Sequence, residues 1–210
     1  MSRPTALAIA ICTLVALVLP QPADAQGTLR LRGYFVGGST WLTATDSFDA
    51  VAGSHRTSSI GGGAALTIWK DAFVDVAVLR MKVDGQRVFV DQGTVFDLNI
   101  PLHVTMIPFD VAGGWRMAGR VSPYGAVGVS RISYSERSDF AAPGEDVNSS
   151  GTGLLVLVGA DVTFSRLWHV GADLRYRSVE GPLGQTGVSA FFDERSIGGF
   201  AASVRVSVGH

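Results

Sequence analysis

The feature that most constrains this chain is an alternation of apolar and polar side chains with a period of two residues. In residues 97–106, every second side chain from Leu98 to Met106 is apolar. The other positions of this segment include Asp97 and His103. Successive side chains of a β-strand point to opposite faces, whereas an amphipathic helix repeats its apolar positions every three to four residues. The pattern therefore predicts β-strands that each have one apolar and one polar face.

The same alternation recurs along most of the chain and divides it into candidate strands. The clean segments are residues 60–69, 97–106, 168–177 and 200–208, and the less regular ones are residues 29–41, 73–84, 122–134 and 154–164. These eight segments are about nine to thirteen residues long. A tilted membrane-spanning strand needs about 9–11 residues, whereas strands of soluble proteins average about 5–6. The lengths therefore favour strands that cross a membrane.

The connections between these segments alternate between long and short, with one exception. Long connections are expected at residues 43–56, 85–96, 135–150 and 178–196, tight turns at residues 70–71 and 165–166, and a link longer than a turn needs at residues 107–121. Outer-membrane barrels combine an even number of strands with long external loops and short periplasmic turns. Hydrocarbon cannot solvate a free sheet edge, so such strands must close on themselves. The sequence therefore predicts an all-β fold, an eight-stranded antiparallel up-and-down transmembrane β-barrel.

The polar faces of the strands predict what fills this barrel. A lipid-facing surface must be apolar, since a charged side chain at the membrane midplane costs about 2–4 kcal/mol. The apolar faces of the clean segments carry no charge, so we expect the charged faces to point inward. The predicted lumen residues are His103, Asp161, His169, Asp173, Arg175, Arg177 and Arg205. An eight-stranded barrel is just wide enough for side chains to fill it, so these residues form either a structural plug or the lining of a narrow passage.

Aromatic side chains lie near the ends of several candidate strands. They are Trp41, Trp69, Trp168 and Tyr176. Membrane barrels carry aromatic girdles at both interfaces, which is the functional interpretation of this placement. Strands favour aromatic residues in any setting, so chance placement is the equally weighted alternative.

The first residues have the features of a secretory signal. Arg3 precedes an apolar run from Ala6 to Leu19, and an A-x-A cleavage site ends at Ala25. As a helix, the run would reach about 21 Å, which is short of the roughly 30 Å hydrocarbon core. We therefore predict a signal peptide at residues 1–25 and an outer-membrane β-barrel domain at residues 26–210.

Two stretches of the chain resemble the small outer-membrane β-barrel proteins of Gram-negative bacteria, the OmpA/OmpX/OmpW-like group. Residues 100–102 (Ile-Pro-Leu), leading into residues 123–128 (Pro-Tyr-Gly-Ala-Val-Gly), resemble an OmpW-type pattern. Residues 171–177 (Gly-Ala-Asp-Leu-Arg-Tyr-Arg) resemble a late strand common to these barrels. The resemblance implies a place in the bacterial cell outer membrane. It also implies contact with outer-membrane lipid and lipopolysaccharide, and insertion by the barrel-assembly machinery.

Composition and isolated side chains argue against several functions. The chain has 17 basic and 18 acidic residues, so it lacks the basic excess of a nucleic-acid-binding protein. Its only cysteine, Cys12, excludes a disulfide scaffold and a thiolate metal site. Ser54 and His55 are adjacent, but no nucleophile–base motif surrounds them. We predict no catalytic residue, no cofactor-binding site and no metal site.

The predicted function is that of a non-enzymatic integral outer-membrane protein. It would serve the envelope as structure or as a narrow passage for small solutes, and the OmpW-type resemblance implies hydrophobic ones. One alternative is a soluble exported lipocalin-like barrel that binds an apolar ligand, in which the apolar faces would point inward. A less favoured alternative is a barrel hydrolase that modifies lipid A.

Overall fold

The computed structural model describes residues 29–91, 94–138, 147–181, 183 and 187–209 of the chain. Its strands are β1 (Arg30–Leu42), β2 (Arg56–Trp69), β3 (Ala72–Asp91), β4 (Thr94–Arg116), β5 (Val121–Ser138), β6 (Val147–Thr163), β7 (Trp168–Val179) and β8 (Gly199–Gly209). Within the described residues, helix α1 (Thr45–Ala52) lies between β1 and β2, and helix α2 (Gly187–Phe191) lies between β7 and β8. The predicted signal peptide, residues 1–25, lies outside the described residues.

The strands close into one antiparallel barrel. Each strand pairs with the next along the chain, and β1 also pairs with β8. On β1, for example, Val36 lies opposite Gly61 of β2 and Arg205 of β8. Every strand therefore has two neighbours, which is the arrangement that a strand in hydrocarbon requires. The predicted eight-stranded up-and-down barrel is confirmed.

An apolar band covers the outer surface of the barrel at the end where β1 begins and β8 ends. We call this end the turn end, and we call the opposite end, which carries α1 and α2, the loop end. On β7, the outward side chains run from Trp168 to Tyr176, and on β8 they run from Phe200 to Val208. The apolar faces of these strands therefore point outward. The lipocalin-like alternative requires apolar faces that point into the barrel, so it is wrong for this band.

Aromatic side chains mark both borders of this apolar band. Near the turn end, Trp69, Trp115 and Trp168 are 63%, 66% and 55% exposed. Near the loop end, the ring centroids of Trp41 and Phe200 lie 6.0 Å apart. Such belts are typical of the two membrane–water interfaces of an outer-membrane barrel.

Two segments that were predicted as connections are largely strand. β3 extends to Asp91 and β4 begins at Thr94, so most of residues 85–96 are paired rather than looped. β4 also continues to Arg116, which leaves only residues 117–120 as the turn to β5. The inward positions of its last half are Pro108, Asp110, Ala112 and Gly114. Proline and glycine are typical of turns, so they obscured the alternation of apolar and polar residues in this segment. The segment is nevertheless a strand, because pairing with both neighbouring strands overrides the local preference for a turn.

The predicted orientation of the loop-end half of β4 is wrong. Leu102, Val104 and Met106, expected to face lipid, are buried in the lumen. His103, expected in the lumen, lies on the outer surface with 54% of its side chain exposed. This half of β4 lies beyond the apolar band, where the outside meets headgroups and water. In water, polar side chains are favoured on the surface and apolar side chains in the interior, and this half of β4 follows that preference.

The two connections that contain helices fold over the loop end of the lumen. Phe48 of α1 and Ile197, which precedes β8, are 4% and 0% exposed. Both belong to one apolar cluster with the lumen residues Met106 and Val179. None of the helices in the described part of the chain is long and apolar enough to cross a membrane.

Candidate functional site in the lumen

Charged side chains form a layer across the middle of the lumen, which we call the ion layer. Its members are Asp75, Asp110, Asp173, Arg175, Arg177 and Arg205, and each is at most 2% exposed. They come from β3, β4, β7 and β8, so the layer reaches from one side of the barrel to the other. The carboxylates and guanidiniums are equal in number, so the formal charges of the layer cancel.

Asp110 on β4 is one of the two carboxylates of the ion layer that each accept four hydrogen bonds. Arg177 donates through Nη2 to Oδ2 at 2.6 Å and through Nε to Oδ1 at 3.1 Å. Arg175 donates through Nη1 to Oδ2 at 3.1 Å, and the Ser130 hydroxyl donates to Oδ1 at 2.7 Å. A two-pronged guanidinium–carboxylate pair is among the strongest polar contacts in proteins. The sequence thus places four donors around one fully buried carboxylate.

Asp173 on β7 forms the second centre of the ion layer. Arg205 donates to its Oδ2 from Nη2 at 2.9 Å and from Nε at 3.2 Å. Arg175 donates from Nε to Oδ1 at 3.3 Å. Arg175 therefore bridges Asp110 and Asp173, and neither carboxylate is left as an unpaired buried charge, which would be strongly destabilising.

Two tyrosines stack on Arg205 and extend the ion layer. The guanidinium carbon lies 4.0 Å from the ring centroid of Tyr34 and 5.1 Å from that of Tyr124. The Tyr34 hydroxyl donates to Asp75 Oδ1 at 2.7 Å, and Arg205 Nη1 lies 3.6 Å from Asp75 Oδ2. Aromatic faces attract cations, most strongly where water is excluded. Asp75 is thus tied to the layer through both Tyr34 and Arg205.

Two lumen-facing glycines provide the space for these tyrosines. A Cβ atom added at Gly63 would lie 2.6 Å from the Tyr34 hydroxyl and 2.2 Å from the backbone oxygen of Val76. One added at Gly159 would lie 2.5 Å from the Tyr124 hydroxyl and 2.6 Å from the backbone oxygen of Ala172. All of these separations are shorter than van der Waals contact allows. Glycine is required here because each tyrosine lies directly against the backbone of a strand.

A smaller ionic cluster lies between the ion layer and the turn end. Arg116 Nη1 is 3.1 Å from Asp161 Oδ2, and Arg32 Nη1 is 3.8 Å from the same oxygen. The Arg116 guanidinium lies 4.9 Å from the ring centroid of Tyr124. Tyr124 therefore stands between two guanidiniums and connects this cluster to the ion layer.

The structure places most of the predicted lumen residues inside the barrel. Those that lie inside, each at most 3% exposed, are Asp161, His169, Asp173, Arg175, Arg177 and Arg205. His169 stands apart from the ion layer, with its Nδ1 atom 3.0 Å from the Thr163 hydroxyl. His103 is the exception, because it lies outside the barrel with its Nδ1 atom 2.7 Å from Asp84 Oδ1.

The sequence prediction missed several lumen residues. They are Arg32, Tyr34, Asp75, Asp110, Arg116 and Tyr124. Asp75 could have been found, since it alternates with Val74 and Val76 and an outward aspartate there would face lipid. Asp110 and Arg116 lie in the half of β4 that was predicted as a connection, so no face was assigned to them.

Glu194 holds the two helical connections together above the apolar half of the lumen. Its Oε2 atom accepts a hydrogen bond from the Ser47 amide at 2.8 Å, and its Oε1 atom accepts one from the Asp46 amide at 3.1 Å. These amides belong to the first turn of α1, whose own N-cap residue, Ala44, has no side-chain acceptor. A carboxylate at a helix N-terminus satisfies free amides and favours the helix dipole. Glu194 thereby fixes α1, and with it Phe48, over the lumen.

Two arrangements that the sequence raised, a metal-binding cluster and the adjacent Ser54 and His55, can be compared with the structure. No group of three or more His, Cys, Asp or Glu side chains within them is placed to hold a metal ion. His55 Nδ1 lies 3.0 Å from Asp49 Oδ1, whereas the Ser54 hydroxyl accepts from the Arg56 amide at 3.1 Å. The adjacent Ser54 and His55 side chains are thus each bonded elsewhere.

The closed barrel, its apolar outer band and its ionic lumen define an integral membrane β-barrel. The Outer membrane protein beta-barrel domain family matches residues 9–196, and the chain belongs to this family. It is therefore an integral protein of the bacterial outer membrane, in contact with the lipid of that membrane. No curated protein matches the chain.

Several solved structures share this fold. The outer membrane protein OprG from Pseudomonas aeruginosa is 12% identical with a TM-score of 0.52, over 88% of this chain and 96% of that chain. The N-terminal β-barrel domain of Pseudomonas aeruginosa OprF is 12% identical with a TM-score of 0.50, over 88% and 100%. Ail, the attachment invasion locus protein of Yersinia pestis, is 12% identical with a TM-score of 0.51, over 87% and 99%. At these identities the likeness concerns the fold alone.

Proposed function

We propose that the chain is an envelope-structural barrel whose lumen is closed to ions. The observation that carries this proposal is the ion layer, in which every charged side chain is at most 2% exposed. Asp110 and Asp173 accept hydrogen bonds from arginines of the layer itself, rather than presenting their charge to an aqueous path. A layer of this kind favours a plug over a conduit.

The energetics of opening also support a closed lumen. A path for ions would have to separate Arg175 from Asp110 and Asp173, to which it donates at 3.1 and 3.3 Å. Breaking a buried ion pair by removing one partner costs about 3–5 kcal/mol. Because each strand of the wall is paired with both of its neighbours, the backbone groups of the wall would not compensate the separated charges. The open state would therefore be rare.

Single-channel conductance of the refolded protein in planar bilayers tests this proposal. We expect no steps from the wild type and small cation-selective steps from Arg175→Ala/Arg177→Ala, in which Asp110 and Asp173 lose donors but keep their charge. The matched control is Arg195→Ala, since Arg195 pairs with Asp193 at the surface with 72% of its side chain exposed. Heat-modifiable migration on detergent gels verifies that each variant is folded.

Reproducible steps from the wild type would contradict the proposal and favour a narrow passage. If the double variant does not fold, Arg177→Ala alone provides the comparison, because Arg175 still bridges Asp110 and Asp173 in it. Silence of a folded Arg177→Ala variant, with insertion confirmed, would mean that Arg177 does not contribute to closure.

A second proposal concerns small apolar solutes, which the loop-end half of the lumen could bind. Its lining is apolar and includes Met81, Val83, Leu102, Val104, Met106 and Ile132. Phe48 packs in this cluster from α1, so movement of α1 would expose an apolar chamber to the outside. The ion layer lies between this chamber and the turn end of the barrel and would block passage between them. The chamber would therefore bind a solute without letting it cross the membrane.

Binding of an apolar fluorophore such as N-phenylnaphthylamine tests the second proposal. Phe48→Ala vacates space in the chamber and is expected to increase the bound fraction. Phe191→Ala is the matched control, since Phe191 lies on α2 and is 46% exposed. Equal binding by both variants and the wild type would contradict an apolar site at this end of the lumen.

We further propose that the protein is not an enzyme, that it contacts lipopolysaccharide, and that the barrel-assembly machinery inserts it. The bonding of His55 to Asp49, away from Ser54, supports the first of these statements. Identical lipid A species in cells with and without the protein are the expected result. A new lipid A species that depends on His55 would contradict it.

A further inference from the structure

The ionic cluster near the turn end differs from the ion layer in its charge balance. We call Arg32, Arg116 and Asp161, which come from β1, β4 and β6, the turn-end cluster. Two guanidiniums share one carboxylate here, because Arg116 Nη1 and Arg32 Nη1 lie 3.1 and 3.8 Å from the same oxygen, Asp161 Oδ2. One positive charge is therefore not compensated within the cluster. Arg30, which is exposed at the start of β1, adds to the positive charge at this end.

The three arginines of the ion layer show how this barrel binds a carboxylate. Each of them donates from Nε and Nη2, which lie along one edge of the guanidinium. Arg177 grips Asp110 in this way at 3.1 and 2.6 Å. Arg205 and Arg175 grip Asp173 with the same two atoms, at 3.2 and 2.9 Å and at 3.3 and 3.4 Å. This edge is the part of an arginine that matches the two oxygens of a carboxylate.

The same edge of Arg116 has no acceptor in the described part of the chain. Its Nε and Nη2 atoms are both buried without a hydrogen-bond partner, and only 10% of the side chain is exposed. The contact of Arg116 with Asp161 uses the remaining nitrogen, Nη1. Buried donors without acceptors are destabilising, and native proteins contain few of them. Arg116 thus offers two parallel donors that no side chain of the turn-end cluster uses.

Two aromatic rings fix the orientation of the Arg116 guanidinium. Its central carbon lies 5.2 Å from the ring centroid of Phe73 and 4.9 Å from that of Tyr124. The two rings meet edge to face, with their centroids 6.1 Å apart. Aromatic faces hold a cation by electrostatic attraction. Because the guanidinium is already oriented, a ligand that binds to its edge loses little affinity to the ordering of the site.

The turn-end cluster can be reached only from the turn end of the barrel, since the ion layer separates it from the loop end. Arg32 is its most accessible member, with 18% of its side chain exposed. The distance of 3.8 Å between Arg32 Nη1 and Asp161 is too long for a hydrogen bond, and Nη1 has no other partner among the described residues. Displacement of this long side chain therefore breaks no hydrogen bond of Nη1 and opens a path to Arg116.

We propose that the turn-end cluster binds a small monocarboxylate from the periplasm, whose two oxygens accept from Nε and Nη2 of Arg116. The turn end of such barrels faces the periplasm. One negative charge balances the uncompensated positive charge of the cluster, whereas a phosphate dianion would exceed it. The carboxylate also repeats the geometry of the three arginines in the ion layer. This inference concerns a separate part of the lumen and requires no passage across the ion layer.

Nuclear magnetic resonance of the refolded protein in detergent micelles, with ¹⁵N in its arginines, provides the test. The probe is ¹³C-formate, because it is the smallest carboxylate, and it is compared with inorganic phosphate and with chloride at equal ionic strength. Movement of the Arg116 Nε–H signal reports binding at the proposed edge. The Nε–H signals of Arg177 and Arg205, which already donate to carboxylates, are internal references. Broadening of the formate signal reports binding in every variant.

Three variants separate the proposed site from general attraction between charges. Arg116→Lys keeps the positive charge beside Asp161 but removes the two-donor edge. Asp161→Asn removes the carboxylate that competes with the ligand for the guanidiniums. The matched control is Arg166→Gln, which removes one basic charge from an exposed position in the β6–β7 turn.

We expect formate to move the Arg116 signal with a dissociation constant on the order of 1 mM, which suits a ligand of three heavy atoms. The signals of Arg177 and Arg205 should not move. Arg116→Lys should bind formate at least about tenfold more weakly, since lysine cannot present two parallel donors. Asp161→Asn should bind it about tenfold more tightly, because the cluster then lacks an anion of its own. Arg166→Gln should stay within about twofold of the wild type.

Four results would overturn the inference. The first is an Arg116 signal that stays in place at about 100 times the expected dissociation constant. Equal movement with chloride would mean a general salt effect, and tighter binding of phosphate than of formate would exclude the assignment to a carboxylate. Equal losses in Arg116→Lys and Arg166→Gln would mean general charge attraction. If heat-modifiable migration shows that Arg116→Lys does not fold, the wild-type titration against the two reference signals decides the matter.

Discussion

Arg175 on β7 donates a hydrogen bond to Asp110 on β4, with 3.1 Å between Nη1 and Oδ2, although β4 and β7 are not neighbours in the barrel. The number of strands and the stagger of their pairing set the mean diameter of the barrel, but they do not fix how round its cross-section is. The Arg175–Asp110 contact joins two parts of the wall through the lumen. It therefore helps to set the cross-section of the barrel.

Replacement of Arg175 by methionine tests the importance of this contact for stability. Arg175→Met keeps most of the side-chain volume but leaves Asp110 and Asp173 with fewer donors. We expect the free energy of unfolding to fall by about 3 kcal/mol, because the change leaves buried negative charge under-compensated. Urea unfolding of the protein in lipid vesicles, followed by tryptophan fluorescence, measures the change.

The control for that measurement is Arg195→Met in the β7–β8 connection. Arg195 and Asp193 pair at 2.9 Å with 72% and 80% of their side chains exposed. Exposed pairs contribute at most about 1 kcal/mol, so this variant should unfold close to the wild type. Equal effects of the two substitutions would refute a structural role for the ion layer.

Tyr34 and Tyr124 both stack on Arg205, so removing the hydroxyl of each in turn compares a bonded hydroxyl with an unbonded one. The Tyr34 hydroxyl donates to Asp75 at 2.7 Å, whereas the Tyr124 hydroxyl has no hydrogen-bond partner among the described residues. Tyr34→Phe should destabilise the barrel by about 1–3 kcal/mol, since it removes a buried bond to a charged acceptor. Tyr124→Phe should have little effect. A larger loss for Tyr124→Phe in the same urea experiment would reverse the assignment.

Glycines on the two faces of the wall should respond differently to alanine. Gly63→Ala and Gly159→Ala place a methyl group against a tyrosine ring and against the backbone of the neighbouring strand, whereas a Cβ at Gly33 or at Gly113 meets nothing within 4 Å. Overpacking of this kind costs about 1–3 kcal/mol. We expect a lower folded fraction on heat-modifiability gels for the first two variants only.

Glu194 should control the local stability of α1. Glu194→Ala removes the acceptor of the Asp46 and Ser47 amides, and loss of a helix cap costs about 0.5–2 kcal/mol. Hydrogen exchange at these amides should therefore accelerate by about tenfold. Asp193→Asn is the neighbouring control and should leave both rates unchanged, because asparagine tolerates the φ of 52° at this position. Unchanged rates in Glu194→Ala would mean that packing of Phe48 alone holds α1 in place.

The barrel itself was predictable because hydrocarbon imposes a strict rule on alternation. On β7 and β8, lipid requires every outward side chain to be apolar, so the inward positions of Asp173, Arg175 and Arg205 follow from the sequence alone. The ends of β3 and β4 could not be predicted from this rule. Residues 85–91 and 94–96 extend β3 and β4 into surroundings that impose no such rule. Residues 107–116 contain Pro108 and Gly114, which are typical of turns.

The candidate site was only half predictable for a related physical reason. His103 was assigned to the lumen on the assumption that lipid surrounds all of β4, but it lies outside because that half of the strand is beyond the membrane. Asp75 escaped notice because the start of its strand is apolar on both faces, and Asp110 because it lies in residues that were predicted as a connection. Their partners, Arg205 and Arg175, come from strands far away in sequence, and only closure of the barrel brings them together.

The extended hairpin of β3 and β4 has a consequence for the cell surface. Beyond Val78 and Ile107, which end the apolar band, the two strands continue to Asp91 and Thr94. At about 3.3 Å per residue and the usual strand tilt, the hairpin projects roughly 30–35 Å beyond the apolar band. Phe89 and Phe96 face each other near its tip and are 55% and 49% exposed. A molecule that approaches the barrel from the loop end therefore meets Phe89 and Phe96 before it reaches the barrel wall.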